Sequence, residues 1–313
     1  SISQANELVC LVYHRFGDDR YPSTNIQTQI FKRQLKYLHD QNFSLFSLSE
    51  AIQKLKQGSL PEKSLVITID DGYRSFLTGA MPLLEEFDAP ATLFINTETV
   101  GSGDYLSWEE IADIKKRGIE IGHHSHSHAH FLNMNQDERA KQFLEDLQTS
   151  SSLFKKNLGY KPKIFSYPYG EWDHIMQDVL KENGFLCAAA QNSGAINFMS
   201  DLFALPRFPM NELYGKMESF ITKVNIYALP VLWVEPEQPI LQENPPVLEI
   251  AIEKNKIIQE QINCFVDGEK SCIKNITSKE HEIILKIATE KPLTDRRTLY
   301  TITAPLASGK GWC

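Results

Sequence analysis

The fold is decided by residues 64–72, which read Ser-Leu-Val-Ile-Thr-Ile-Asp-Asp-Gly. A run of branched apolar residues is typical of a buried strand, and Asp-Asp-Gly is its polar end. In parallel α/β proteins, functional side chains usually lie at the C-terminal ends of strands. Asp70 and Asp71 repel each other there unless a cation lies between them or one carries a proton. A metal-binding carboxylate beside a general base would satisfy both conditions. An ordinary strand-ending turn is the alternative.

A histidine tract follows about fifty residues later, where positions 119–122 form a second apolar run. Residues 123–130 read His-His-Ser-His-Ser-His-Ala-His and contain five of the nine histidines. Three protein ligands and a water make the usual catalytic zinc site, and Asp71 with two of these histidines would supply the ligands. The tract follows a predicted strand and precedes a helix start at Asn135. These features favour a placed site over an incidental His-rich loop.

The first part of the chain alternates strand-like and helix-like segments. Repeated β-α units predict a parallel sheet, and seven or eight of them predict a barrel with its strand ends on one face. Ser47 and Glu50 have the spacing of a capping box, and Gly58 is the expected terminator of the helix that follows. The predicted strands are 8–14, 64–69, 91–96, 119–123, 163–167, 184–190 and 202–208. The predicted helices include 75–87, 108–117, 136–158 and 172–183.

Three motifs resemble those of the NodB-type polysaccharide deacetylases, carbohydrate esterase family 4. Residues 68–72 (Thr-Ile-Asp-Asp-Gly) are similar to the first motif, and 124–128 (His-Ser-His-Ser-His) match the second, His-[Ser/Thr]-x-x-His. Residues 166–170 (Ser-Tyr-Pro-Tyr-Gly) resemble the third, Arg-x-Pro-[Tyr/Phe]-Gly. The resemblance covers residues 8 to 226 and implies a distorted (β/α) barrel of about seven strands.

The resemblance implies a metal-dependent hydrolase that removes N-acetyl groups from an N-acetylglucosamine-containing polysaccharide and releases acetate. Asp71, His124 and His128 would bind the metal, expected to be Zn²⁺, although the ligands also suit Co²⁺, Ni²⁺ or Mn²⁺. Asp70 would be the general base. His126 is a competing ligand candidate.

The third motif would complete the site on the substrate side. The backbone N–H of Tyr169 would help to bind the oxyanion, and Pro168 would fix the approach. Tyr73 and Trp172 are candidates for stacking on sugar rings, although most aromatic side chains belong to cores.

Two departures from the family pattern leave roles open. Ser166 stands where the family has the arginine that steadies the base, so Arg207 or Arg74 would have to replace it. The Leu-x-His motif, which carries the family's general acid, is absent from residues 226–230, as is the Asp-Trp motif. His14 follows the first strand within Tyr-His-Arg, as in members that act on β-1,6-linked N-acetylglucosamine. It is therefore either the acid or a structural histidine.

The composition agrees with a globular enzyme. The chain has 313 residues, of which 42% are hydrophobic and 23% charged, so two domains are more plausible than one. The net charge of -8 argues against nucleic acid or an anionic membrane surface as the main partner. No run of about 18 apolar residues predicts a transmembrane segment. The oligomeric state is not predicted.

The second part of the chain has a different pattern. We expect a catalytic barrel over residues 1–228 and a small all-β sandwich over 229–313, after a proline-rich linker. The sandwich would be a spacer or a glycan-binding module. Cys264 and Cys272 flank a predicted hairpin turn: a loop of three residues, 267–269, would let them pair, and a turn of two residues, 267–268, would not. Pairing would indicate export.

Three functions remain open on the sequence alone: a polysaccharide N-deacetylase, an amidase acting on a small cyclic or linear amide, and a non-catalytic carbohydrate-binding protein that keeps the metal. The first is favoured. We expect it to act outside the cytoplasm, whether periplasmic, cell-surface or secreted, with any signal peptide already removed.

Overall fold

The computed structural model describes residues 6–267 and 272–313. The chain divides into two compact units, of which the first comprises Ser1–Asn192 with Ile196–Asn225, and the second Ser193–Ala195 with Ile226–Cys313. Within the described residues, no helix is both long and apolar enough to cross a membrane.

The first unit is built on one parallel sheet. Seven strands follow the order β10-β1-β5-β6-β7-β8-β9. The short strand β4 pairs with the first half of β5, and β6 pairs with the second half. A small parallel pair, β2 with β3, lies outside this sheet. The strands are β1 (Leu8–Tyr13), β2 (Arg15–Phe16), β3 (Asn25–Ile26), β4 (Ser44–Phe46), β5 (Ser64–Ile69), β6 (Thr92–Ile95), β7 (Glu120–His123), β8 (Ile164–Ser166), β9 (Cys187–Ala189) and β10 (Phe208–Pro209).

The predicted distorted barrel is confirmed. Every residue of β1 and of β5 is buried, as expected of parallel strands that are covered on both faces. The two ends of the sheet meet through the segment before β10, where Leu205 forms a parallel bridge with Ala189 of β9. The predicted strand 202–208 was therefore wrong in its bounds, because most of this segment bridges β9 irregularly before β10 pairs with β1.

Seven helices connect the strands in the described part of this unit. They are α1 (Thr28–Asp40), α2 (Leu48–Gln57), α3 (Met81–Glu86), α4 (Trp108–Lys116), α5 (Gln136–Leu158), α6 (His174–Glu182) and α7 (Met217–Val224). A π-helical turn, Phe76–Ala80, precedes α3. The predicted bounds of α5 are confirmed, with Asn135 as its N-cap.

The ends of two helices test the predicted capping signals. Gly58 ends α2 in the left-handed conformation (φ 66°), as predicted, but Ser47 makes no side-chain cap there. The predicted capping box was wrong because Glu120 of β7 binds the backbone N–H and hydroxyl of Ser49 instead. A capping box does form at α4, between Ser107 and Glu110.

The second unit is a small antiparallel β structure. Its strands are β11 (Val231–Glu235), β12 (Val247–Glu253), β13 (Asn263–Val266), β14 (Ile273–Ser278), β15 (Glu282–Ala288) and β16 (Tyr300–Thr303). They form a four-stranded sheet, β11-β12-β15-β14, and a two-stranded sheet, β13-β16. Residues from both sheets contribute to one apolar core, which agrees with the predicted sandwich. The expected linker contains β11, which pairs with β12.

Cys264 and Cys272 form a disulfide, although not in the predicted hairpin. Cys264 lies on β13, which pairs with β16, and Cys272 immediately precedes β14, which pairs with β15. The bridge therefore links the two sheets. Residues 268 and 269 of the predicted turn lie outside the described residues. Cys10 and Cys187 are buried thiols, as predicted.

Candidate active site

Strand register brings the polar residues that follow β1 and β5 to the same level. Tyr13 of β1 is the partner of Ile69 of β5, and the Asp70 N–H donates to the Tyr13 carbonyl at 2.9 Å. His14 and Asp70 therefore follow their strands side by side. Both lie at the C-terminal edge of the sheet, where parallel strands place functional groups.

Asp71, His124 and His128 form the one group of potential metal ligands found among the described residues. Asp71 Oδ1 lies 3.1 Å from His124 Nε2 and 3.2 Å from His128 Nε2. The two Nε2 atoms are 3.1 Å apart. Three ligand atoms thus converge on one point, and each comes from a loop directly after a strand.

The chemistry of these atoms fits a bound cation. His124 Nδ1 lies 2.7 Å from the Ser166 carbonyl, which can only accept, so Nδ1 carries the proton and Nε2 offers its lone pair. Asp71 Oδ1 is buried and has no hydrogen-bond partner among the described residues. Such an unsatisfied buried oxygen is costly unless an ion satisfies it.

Charge at the site also favours a cation. Burial alone would raise the pKa of Asp71, but the adjacent imidazoles of His124 and His128 hold it well below its usual range. Burial would likewise lower the pKa of His124, yet the charges of Asp70 and Asp71 raise it. The two carboxylates thus generate a field that attracts positive charge.

The histidine loop is held by hydrogen bonds to its backbone. Ser125 Oγ accepts the His128 N–H at 3.0 Å, and Asp146 of α5 accepts the N–H groups of His126 and Ser127. The His126 ring binds Thr97 Oγ1 at 2.9 Å. His126 is therefore not among the converging ligand atoms, against its candidacy from the sequence.

Asp70 is fully buried and forms a bidentate ion pair with Arg207. Arg207 Nη1 and Nη2 donate to Asp70 Oδ1 and Oδ2, both at 2.8 Å. The remaining donors of the guanidinium bind Thr68 Oγ1, Ser166 Oγ and the Ala190 carbonyl. All five donors are satisfied, which is the geometry for which arginine is suited.

The structure thus shows which arginine contacts the carboxylate. Ser166, in the position of the missing arginine, donates its hydroxyl to Asp70 at 3.1 Å and accepts from Arg207. Arg74 instead pairs with Glu110 at 3.4 Å on the surface. Burial alone would raise the pKa of Asp70, but Arg207 lowers it, so the carboxylate is ionised at neutral pH.

His14 faces the same group of charges. Burial lowers the pKa of His14, while the carboxylates of Asp71 and Asp70 act in the opposite direction. The residue as a whole is half-buried.

The aromatic candidates differ in their surroundings. Tyr169 lies in a left-handed conformation (φ 59°) directly after the buried Pro168, and 39% of its surface is exposed. Trp172 packs against an apolar core cluster, so its ring is partly structural. Tyr73 has Arg15 over its ring at 3.5 Å and contacts Tyr105, with ring centroids 4.8 Å apart.

Sequence reasoning missed three supports of the site. Arg15 lies between the rings of Tyr73 and Tyr21, at 3.5 and 3.9 Å. Asp146 carries no local signal that it binds a loop about twenty residues earlier. Arg139 donates to the carbonyls of residues 131, 132 and 134 and pairs with buried Asp173, which fixes the chain after the histidine tract.

Comparison with known proteins agrees with this geometry. The family model described as polysaccharide deacetylase matches residues 57–188, which include both carboxylates and the histidine tract. The chain therefore carries a polysaccharide deacetylase domain. The poly-β-1,6-N-acetyl-D-glucosamine N-deacetylase of Staphylococcus aureus is 25% identical over 222 residues, covering 67% of this chain and 76% of the relative. The chain is an enzyme of the hydrolase class.

Solved structures show the same fold for the deacetylase unit. The deacetylase PplD of Streptococcus pyogenes, in complex with acetate, superposes with a TM-score of 0.62 at 20% identity and covers 70% of this chain and 98% of that one. IcaB of Ammonifex degensii gives a TM-score of 0.59 at 24% identity, covering 68% of this chain and 96% of that one. The first unit therefore has the fold of these deacetylases.

Proposed function

We propose that this polysaccharide deacetylase hydrolyses N-acetyl groups of an N-acetylglucosamine polysaccharide, releasing acetate and leaving free amines on the polymer. The observation that carries the proposal is the convergence of Asp71 Oδ1, an unsatisfied buried oxygen, with the Nε2 atoms of His124 and His128. A site built to hold a cation lies directly beside an ionised carboxylate, Asp70, that does not contribute to it.

Asp71, His124 and His128 would hold the divalent metal, and Zn²⁺ suits two imidazoles and one carboxylate best. When bound, such a metal lowers the pKa of a water towards about 7 and polarises a carbonyl oxygen. The Ser166 carbonyl fixes the tautomer of His124 for this role.

Asp70 would act as the general base. Its lowered pKa keeps it ionised, and Arg207 and Ser166 fix both of its oxygens in place. The carboxylate takes the proton of the attacking water as the oxygen adds to the acetyl carbon. A base that is already oriented loses little entropy in the transition state.

The proton for the leaving amine would come from His14, and the oxyanion would be bound by the Tyr169 N–H. His14 would have to carry a proton for this step: burial lowers its pKa, and the carboxylates of Asp71 and Asp70, which act in the opposite direction, would favour the protonated ring that donates to nitrogen as the C–N bond breaks. Tyr169 lies in a left-handed turn (φ 59°), and its ring contacts that of His128, which places the third motif beside the ligand candidates. Tyr73 and Trp172 would border the sugar ring.

Two observations support a polymer located outside the cytoplasm. The relative from Staphylococcus aureus is named for a polymer of N-acetylglucosamine. The disulfide of the second unit is of the kind that persists in oxidising compartments. We therefore propose a periplasmic, cell-surface or secreted enzyme.

Acetate release tests the proposal. Protein stripped with a chelator and reloaded with Zn²⁺, Co²⁺, Ni²⁺ or Mn²⁺ is incubated with β-1,4- and β-1,6-linked N-acetylglucosamine oligomers, and acetate and free amine are both quantified. We expect the added metal to restore acetate release. The Asp70→Asn substitution should lower kcat by about 10²–10⁴-fold.

Two results would contradict the proposal. Metal binding without acetate release from any oligomer would indicate a carbohydrate-binding protein or an amidase for small amides. Equal acetate release by wild type and the Asp70→Asn variant would show that Asp70 is not the base.

A further inference from the structure

One histidine of the tract has no place in the mechanism and yet contacts the site. His130 Nδ1 lies 3.1 Å from Glu171 Oε2, and the His130 ring is stacked on that of Tyr169 with centroids 3.6 Å apart and planes at 8°. The ring of Tyr169 also meets that of His128 at 4.6 Å and 69°. The three rings therefore connect the third motif to a metal-ligand candidate.

The backbone that this stack holds is strained. Tyr169 has φ 59° and ψ 5°, a left-handed conformation that is costly for a bulky residue, and His128 has φ 52°. Such conformations persist only where the surroundings impose them. Gly170 contributes on the other side, because a Cβ there would lie 2.5 Å from Gln191 Cβ, so the turn is closely packed and cannot accept a larger residue.

Resting on the proposed function, we infer that His130 is a positioning residue: held by Glu171, it stacks on Tyr169 and keeps the Tyr169 N–H aimed at the oxyanion. A face-to-face ring contact at 3.6 Å restricts rotation of the tyrosine side chain, and Tyr169 transmits the restriction to its own backbone. The second partner, Glu171, stops the imidazole from turning out of the stack. His130 contributes no atom to the group of converging ligand atoms.

The test compares His130→Ala with His130→Phe, which keeps a flat ring over Tyr169 but cannot bind Glu171. His39→Ala is the matched control, because this exposed histidine at the end of α1 also contacts an aromatic ring, Phe87, with centroids 6.2 Å apart. Each variant is measured for kcat, KM, Zn²⁺ affinity by chelator competition, and the φ of residue 169 in a crystal structure.

His130→Ala should lower kcat by about 10- to 100-fold, since a misplacement of about 1 Å in a catalytic geometry costs up to about 10² in rate. KM and Zn²⁺ affinity should stay within about twofold of wild type, φ of Tyr169 should leave the left-handed region, and His130→Phe should recover most of kcat. His39→Ala should match wild type.

Three outcomes would overturn the inference. Unchanged kcat with an unchanged φ at Tyr169 in His130→Ala would show that the stack positions nothing. Loss of Zn²⁺ along with activity would place the role of His130 at the metal. A loss of kcat in His130→Phe with φ of Tyr169 still left-handed would mean that the imidazole acts through its nitrogens and not by holding the turn. If the wild type releases no acetate, the proposed function fails, while the crystal structures still report whether His130 imposes the conformation of Tyr169.

Discussion

Replacing Arg207 with methionine should destabilise the deacetylase unit by about 3–5 kcal/mol at neutral pH, because it leaves the buried Asp70 carboxylate without its counter-ion. The guanidinium makes five hydrogen bonds, two of them to Asp70. After the substitution, the Ser166 hydroxyl is the one donor described here that still reaches the carboxylate. Methionine fills much of the volume, so the loss is mainly electrostatic.

The effect should depend on pH with a definite sign. In the wild type, the pKa of Asp70 lies below its usual value, so the carboxylate contributes stability above about pH 4 and loses it as the pH falls through the lowered pKa. In Arg207→Met, burial is no longer offset, and the pKa of Asp70 rises. The free-energy penalty for burying the unpaired carboxylate is then present in full above the raised pKa and disappears as the pH falls. The difference between the two proteins should therefore be smaller at pH 4 than at pH 7.

A double-mutant cycle measures the coupling free energy between Arg207 and Asp70. Urea unfolding is measured for Arg207→Met, Asp70→Asn and the double variant, and hydrogen exchange of β1 and β5 amides reports on the barrel alone. Each single change leaves an unpaired buried polar or charged group, so the double variant should be at least about 2 kcal/mol more stable than the sum predicts. Additivity within about 0.5 kcal/mol would refute a coupled pair. Arg74→Met, which breaks an exposed ion pair, is the control and should cost less than about 1 kcal/mol.

Three further substitutions test the metal ligands, the proposed general acid and the disulfide. His128→Ala should abolish stoichiometric Zn²⁺ binding in calorimetry while leaving the fold intact, because the site loses one of three ligands; retained stoichiometric binding would contradict the ligand set. His14→Gln should lower kcat by about 10²–10⁴-fold at unchanged Zn²⁺ affinity, and an unaltered kcat would assign this histidine to structure. Replacing Cys264 and Cys272 with serine opens a loop with a sequence separation of 8 and should cost the second unit about 2.5 kcal/mol in thermal unfolding, without changing acetate release by the first.

The sequence predicted correctly those strands and helices whose signal comes from neighbouring residues. The apolar run of β5 and the helical period of α5 depend on neighbours along the chain, and both segments were placed correctly. Capping depends on which acceptor reaches the free backbone N–H groups at the start of a helix. Ser47 makes no side-chain cap at α2, where Glu120, seventy-three residues away in the sequence, accepts the N–H of Ser49. The predicted hairpin was wrong because partners distant in the sequence also decide strand pairing: β13 and β14 each pair with a later strand and not with each other.

The sequence by itself determined the alternation of strands and helices in the barrel and the residue types that can bind a metal, because burial periodicity and ligand spacing are properties of short segments. Only the tertiary structure decided that Arg207, rather than Arg74, reaches Asp70 across 137 residues, and that His130 lies on Tyr169. Closure of the sheet through Leu205 fixes the position of Arg207. The free energy that selects such partners comes from packing and desolvation over the whole barrel, which no local pattern of residues encodes.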